Sequence, residues 1–164
     1  MAPEPSPADA LSVLRRLSVI AATLFLCACA SGCSGGAAQA REHSCGATDQ
    51  KFIQTASVDV MALGSLTADY QSGLADADEV AQQAFDAAKR VTHVTPHDFS
   101  LQTAQRYLDG MFREYGEAVR MQAKGEDAGE RMYRAYGLAN FAHDVLVQAQ
   151  PALLQRGCDV GPLL

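Results

Sequence analysis

From Thr48 onward the apolar side chains recur at steps of three and four residues, and this periodicity admits helices and little else. In a first helix, roughly Asp49 to Ser72, the core stripe is Ile53, Ala56, Val60, Leu63, Thr67 and Tyr70, thickened by Phe52 and Leu66, and Gly73 supplies the stop. Asp76 stands three residues before Glu79, the spacing of a capping box, and opens a shorter helix to about Val91 with Ala81, Ala84, Phe85 and Ala88 inward. Thr95-Pro96 closes that segment, because the residue before a proline is pushed out of the helical region.

Asp98 or Ser100 caps a third helix, in which Leu101, Ala104, Leu108, Met111, Tyr115 and Ala118 keep the spacing until Gly125. A fourth begins near Asp127 and carries Met132, Ala135, Ala139, Ala142, Leu146, Ala149 and Leu153 inward, with Gly157 as its stop. Pro151 is the local inconsistency: it lacks an N–H and clashes with the carbonyl four residues back. A kink or break near Ala149 is expected there, with Ala152 to Arg156 as a final turn.

Short connections make neighbouring helices antiparallel, so the expected fold is all-α, an up-down-up-down four-helix bundle over residues 48–164 with no strand. Composition agrees. The chain is 48% hydrophobic yet has no Trp and only 7% aromatic residues, so the core rests on Ala, Leu, Val and Met, which suit closely packed helices. The net charge is −6 and the basic residues are scattered, so nucleic acid is not an expected partner.

Ahead of the helices, Arg15 and Arg16 precede an apolar stretch from Leu17 to Ala30, followed by Ser31, Gly32, Cys33, Ser34, Gly35 and Gly36. A charged start, an apolar middle and a small-residue end are the parts of an export signal. The apolar run is ~14 residues, short of the roughly 20 a helix needs to cross the hydrocarbon core. Ala30-Ser31-Gly32-Cys33 resembles the lipobox of bacterial lipoproteins, with Ala30 where Leu is commonest; the resemblance covers residues 15–36 only. It implies a precursor cut before Cys33 and lipidated on that cysteine, with Leu26-Cys27-Ala28-Cys29 as the rival box and Cys29 as the alternative attachment site. Residues 1–32 are then the signal peptide, and 33–47 a Gly-, Ala- and Ser-rich tether of at most ~3.5 Å per residue. The implied location is the extracytoplasmic face of a membrane, reached through the N-terminal lipid.

Of five cysteines, only Cys45 and Cys158 lie beyond the lipobox, and they bracket the helical region. In an up-down bundle the start of the first helix and the end of the fourth share a pole, and an exported chain meets an oxidising compartment, so a Cys45–Cys158 disulfide is expected. Closing a loop of about 110 residues contributes roughly 4 kcal/mol through the unfolded state.

Candidate chemistry is sparse. His43, His93 and His97 fall near one pole and with Asp98 or Asp159 have the donors for zinc or copper, but solvated loop histidines account for them better. His143 sits too far up the fourth helix to join them and is expected to pair with a neighbouring carboxylate. Tyr70, Tyr107, Tyr115, Tyr133 and Tyr136 have the makings of a ligand pocket, with room left by Gly110, Gly116 and Gly137; core packing and close helix approach explain the same residues. There is no Gly-x-Ser-x-Gly elbow, no phosphate loop and no Glu-x-x-His pair, so no catalytic residue, cofactor or metal ligand is assigned. The sequence therefore reads as a non-enzymatic lipoprotein with an interaction or envelope-structural role, the alternative being a small-ligand or metal-binding lipoprotein.

Overall fold

The computed structural model describes residues 44–164. It consists of helices α1 (Ala47–Gln71), α2 (Ala77–Thr92), α3 (Phe99–Ala123) and α4 (Gly129–Gln155), followed by a single 3-10 turn, Gly161–Leu163. No strand occurs among the described residues. The Cys33 assignment and the export signal lie outside them.

Local chemistry sets most helix ends. Asp76 and Glu79 complete the capping box of α2, the Glu79 N–H donating to Asp76 Oδ1 at 2.8 Å and the Asp76 N–H to Glu79 Oε2 at 3.4 Å. Asp98 caps α3 by accepting from the N–H groups of Ser100 and Leu101 at 2.8 and 3.1 Å. Gly73, Gly125 and Gly157 all adopt positive φ, and the next residue's N–H reaches back to Asp69, Met121 or Leu153, so α1, α3 and α4 each end in a Schellman turn. α2 has no such glycine. α3 side chains serve its end and the loop after it instead: the Gln105 side-chain amide donates to the carbonyls of Val91 in α2 and Val94 in the loop, and that of Gln102 to those of loop residues Pro96 and His97.

Cross-helix contacts establish the up-down-up-down order. Asp59 of α1 pairs with Arg90 of α2, and Phe85 of α2 lies over Gly116 of α3. Along α3 and α4, Tyr107 stacks on Phe141 with centroids 5.6 Å apart, Gly110 faces Leu138, and Glu114 pairs with Arg131 at 3.0 Å, one number rising as the other falls. The core formed this way is fully buried at Phe52, Val80, Val91, Leu101, Phe112 and Leu153. Small buried residues on α2, among them Ala81, Ala84, Ala87 and Ala88, let α1 and α3 approach it closely.

One expectation needs correction. α4 does not break near Ala149: it continues through Pro151 to Gln155. Pro151 is exposed in the last turns of the helix, and Val147, whose carbonyl loses its N–H partner to the proline, is half-exposed. The four helices form the expected bundle, with unequal contacts between them. α2 packs on α1 and α3, and α3 on α4, but no Cα of α1 comes within 8 Å of a Cα of α4.

Candidate ligand groove

The open seam follows from what each helix is tied to. After Gly157 the chain turns back, Cys158 is joined to Cys45 with their Cα atoms 4.8 Å apart, and Val160 is fully buried. The following 3-10 turn packs against both α1 and α4, so the C-terminal tail is a wedge at the disulfide pole. Toward the other pole, the hydroxyls of Thr67 and Tyr115 meet at 2.9 Å and hold α1 to α3 rather than to α4. Between these ties the facing walls carry Gly64 on α1 and Ala135, Ala139 and Ala142 on α4, side chains too short to bridge the gap.

The result is a groove floored by α3. An upper chamber of about 280 Å³ is bounded by Leu63, Thr67, Phe112, Tyr115, Ala135 and Tyr136. A narrower lower chamber of about 130 Å³ is bounded by Leu108, Ala142, His143, Leu146 and Leu163. Val60, Met111 and Ala139 border both, so the two chambers are neighbours along the same seam. The slot has no charged lining apart from any charge His143 carries, and the Thr67 and Tyr115 hydroxyls satisfy each other. Tyr136, on α4, lines the upper chamber and is exposed.

This geometry redistributes the sequence-derived residues. Val60, Met111, Tyr115 and Ala139, read as sealed core, line the groove. Of the five tyrosines, Tyr115 and Tyr136 face the slot, Tyr70 and Tyr107 pack against the core, and Tyr133 is exposed. Gly116 and Gly110 allow close packing by Phe85 and Leu138, whereas the position a Gly137 side chain would take is open. His143 lies at the lower chamber with its Nδ1 3.7 Å from Asp144. His97 Nδ1 is 2.6 Å from the Thr48 hydroxyl and Asp98 is held by Arg156, while His43 lies outside the described residues; among the described residues no three His, Cys, Asp or Glu side chains converge on a common point suited to a metal ion.

The other depressions are lined by charged side chains. A broad one of about 740 Å³ is larger than the groove, but it is open and polar, and three of its four acidic groups are engaged: Asp76 and Glu79 form the α2 capping box, and Asp86 is held below the usual carboxylate value by hydrogen bonds from Gln82 and Lys89. Another collects Lys51, Lys89, Arg90 and His93, of which Lys89 pairs with Asp86 and Arg90 with Asp59. Among the described residues no helix is long and apolar enough to cross a membrane.

No protein-family model matches the chain, and it matches neither a curated protein nor a solved structure.

Proposed function

We propose that the chain is a lipid-anchored, extracytoplasmic binding protein without enzymatic activity, which holds a small apolar ligand in the groove between α1 and α4. The observation that carries the binding half is the groove itself: a mainly apolar cavity of about 280 Å³ beside a well-packed core, with a smaller one of about 130 Å³ next to it. It favours ligand binding over a purely envelope-structural role. The anchoring half is supported by the lipobox-like Ala30 to Cys33, and export by the Cys45–Cys158 bond, since disulfides persist in oxidising compartments.

Intact mass spectrometry of the membrane-extracted protein tests both halves. Under denaturing conditions a chain beginning at diacylated Cys33 is expected, and an unmodified chain retaining residues 1–32 overturns the anchor. Under native conditions, an apolar adduct or a bound fluorescent apolar probe is expected, and Ala139→Phe, which fills the slot from α4, removes it. Probe binding that is absent, or indifferent to that substitution, overturns the binding site.

A further inference from the structure

We propose that the outward stripe of α4, formed by Tyr133, Asn140, Val147 and Leu154, is the seam of a parallel homodimer and packs against the same stripe of a second copy; this goes beyond the groove and does not rest on it.

The make-up of α4 comes first. From Ala135 to Gln155 the helix carries a single charged residue, Asp144, and a single histidine, His143. A helix that turns one side to water carries charge on that side, as α2 does with Asp78, Glu79, Asp86, Lys89 and Arg90, whereas a helix apolar on more than one side is covered on more than one side. The inner face of α4 buries Ala135, Ala142, Leu146 and Leu153. Its outer face leaves Tyr133 80%, Leu154 49% and Val147 43% exposed, and no other element of the described residues covers them.

Spacing comes second. Tyr133, Asn140, Val147 and Leu154 recur every seven residues, the repeat of a helix that lies along another helix for its whole length. A lone asparagine in such a seam fixes register and strand number in parallel pairs, where the two amides meet. The flanks then give the orientation. At about 100° per residue, His143 stands about 60° to one side of Asn140 and Asp144 about 40° to the other. A two-fold axis along parallel helices brings opposite flanks together, so the His143 imidazole of each copy meets the Asp144 carboxylate of the other. An antiparallel pair sets like flanks side by side, histidine to histidine and carboxylate to carboxylate.

Size fits a modest dimer. Covering Tyr133, Tyr136, Asn140, Val147, Pro151 and Leu154 on both copies removes on the order of 1,000 Å² from water, the lower end of what specific interfaces bury, and implies dissociation in the micromolar range. A bilayer surface fits less well, because helices that lie on one carry Lys or Arg along the polar flank, and α4 has neither between Ala135 and Gln155.

The test follows the full chain in detergent micelles by sedimentation velocity. A reversible dimer is expected, and Val147→Glu should raise its dissociation constant at least tenfold while leaving the helical circular dichroism spectrum unchanged. Under mild oxidation Asn140→Cys should form a disulfide-linked dimer above the wild-type background, whereas Gln148→Cys, about 80° round the helix, should not. Crosslinking in a mixture of Asn140→Cys and Val147→Cys, but in neither alone, means an antiparallel pair and overturns the assigned orientation. A chain that stays monomeric at about 100 µM, well above a micromolar constant, overturns the proposal, as does a dimer indifferent to Val147→Glu. If the thiol of Asn140→Cys is shielded from a water-soluble maleimide in phospholipid vesicles but open to it in micelles at the same protein concentration, lipid covers the face and the second copy is excluded.

Discussion

Arg90 places both its Nε and its Nη2 on a single oxygen of Asp59, at 2.9 and 2.7 Å, and the second oxygen of that carboxylate is buried without a hydrogen-bond partner. The two partners differ in their access to water. The Asp59 side chain is 3% exposed and that of Arg90 47%, so the carboxylate depends on the pair far more than the guanidinium does. Removing Arg90 strands a buried charge, a change that costs about 3 kcal/mol, whereas removing Asp59 leaves Arg90 free to hydrate and costs about 1 kcal/mol. Urea denaturation of Arg90→Ala, Asp59→Ala and the double variant is expected to give that order, with the double close to Asp59→Ala. Equal losses from the two single substitutions would show that water reaches Asp59.

A second prediction concerns acid. Burial pushes the Asp98 carboxyl up, but the Arg156 guanidinium and the backbone N–H groups of Leu101 and Ser100 outweigh it, and the net result lies below the ordinary value of 3.8. A carboxyl depressed in the folded state adds stability that is complete above its unfolded pKa and is lost as pH falls through the folded one. The contribution of Asp98 should therefore stay constant from neutral pH down to about 4 and fade below it. Asp98→Ala, which removes the α3 cap, is expected to cost about 1–2 kcal/mol at pH 7, and the gap to the wild type should narrow in denaturation curves taken below pH 4. A gap that already narrows between pH 7 and 5 would point to another group.

Reducing the Cys45–Cys158 bond is expected to do more than lower global stability. The loss should approach 4 kcal/mol for a loop of this length. The same bond holds the tail, in which Val160 is buried and Leu163 borders the lower chamber, so reduction should also loosen residues 159–164 and remove the Leu163 wall of that chamber. Hydrogen exchange of the tail amides, with and without reductant, distinguishes a local release from uniform destabilisation, in which helical and tail amides would accelerate together.

Helix number, order and ends were legible because they depend on local chemistry: Asp76 with Glu79, Asp98, and the glycines at 73, 125 and 157 act within a few residues of themselves. The disulfide was legible because up-down topology leaves one pole for both cysteines. The open seam was not. Ala135, Ala139 and Ala142 at inward positions read as a close helix contact, and only the folded-back tail and the Thr67–Tyr115 tie turn the same small residues into a groove wall. The polar side of α1 was also hidden, since Asp49, Ser57 and Asp59 break the apolar pattern yet are buried. Asp49 accepts the backbone N–H groups of His97 and Asp98, and Asp59 holds Arg90; both partners lie 31 or more residues away, where periodicity carries no signal.

Three of the four mid-helix glycines separate packing from propensity. A side chain added at Gly137 meets nothing within 4 Å, so Gly137→Ala gains only the helix preference of alanine and should stabilise by about 0.5–1 kcal/mol. At Gly116 the new carbon would lie 3.0 Å from the Phe85 ring and 3.2 Å from the backbone oxygen of Ala81. The ring can turn aside, but the carbonyl belongs to α2 and moves only with its helix, so Gly116→Ala should destabilise by about 1–3 kcal/mol. Gly110 lies between them: its close neighbour is the flexible end of Leu138, 3.1 Å away, and Gly110→Ala is expected to be near neutral because helix preference offsets a small shift of that side chain. Thermal melts of the three variants should therefore rank Gly137→Ala highest and Gly116→Ala lowest. A stabilised Gly116→Ala would mean that α2 sits further from α3 than the Phe85–Gly116 contact requires, and the Arg120 guanidinium stacked 4.4 Å from the same ring would lose its fixed platform with it.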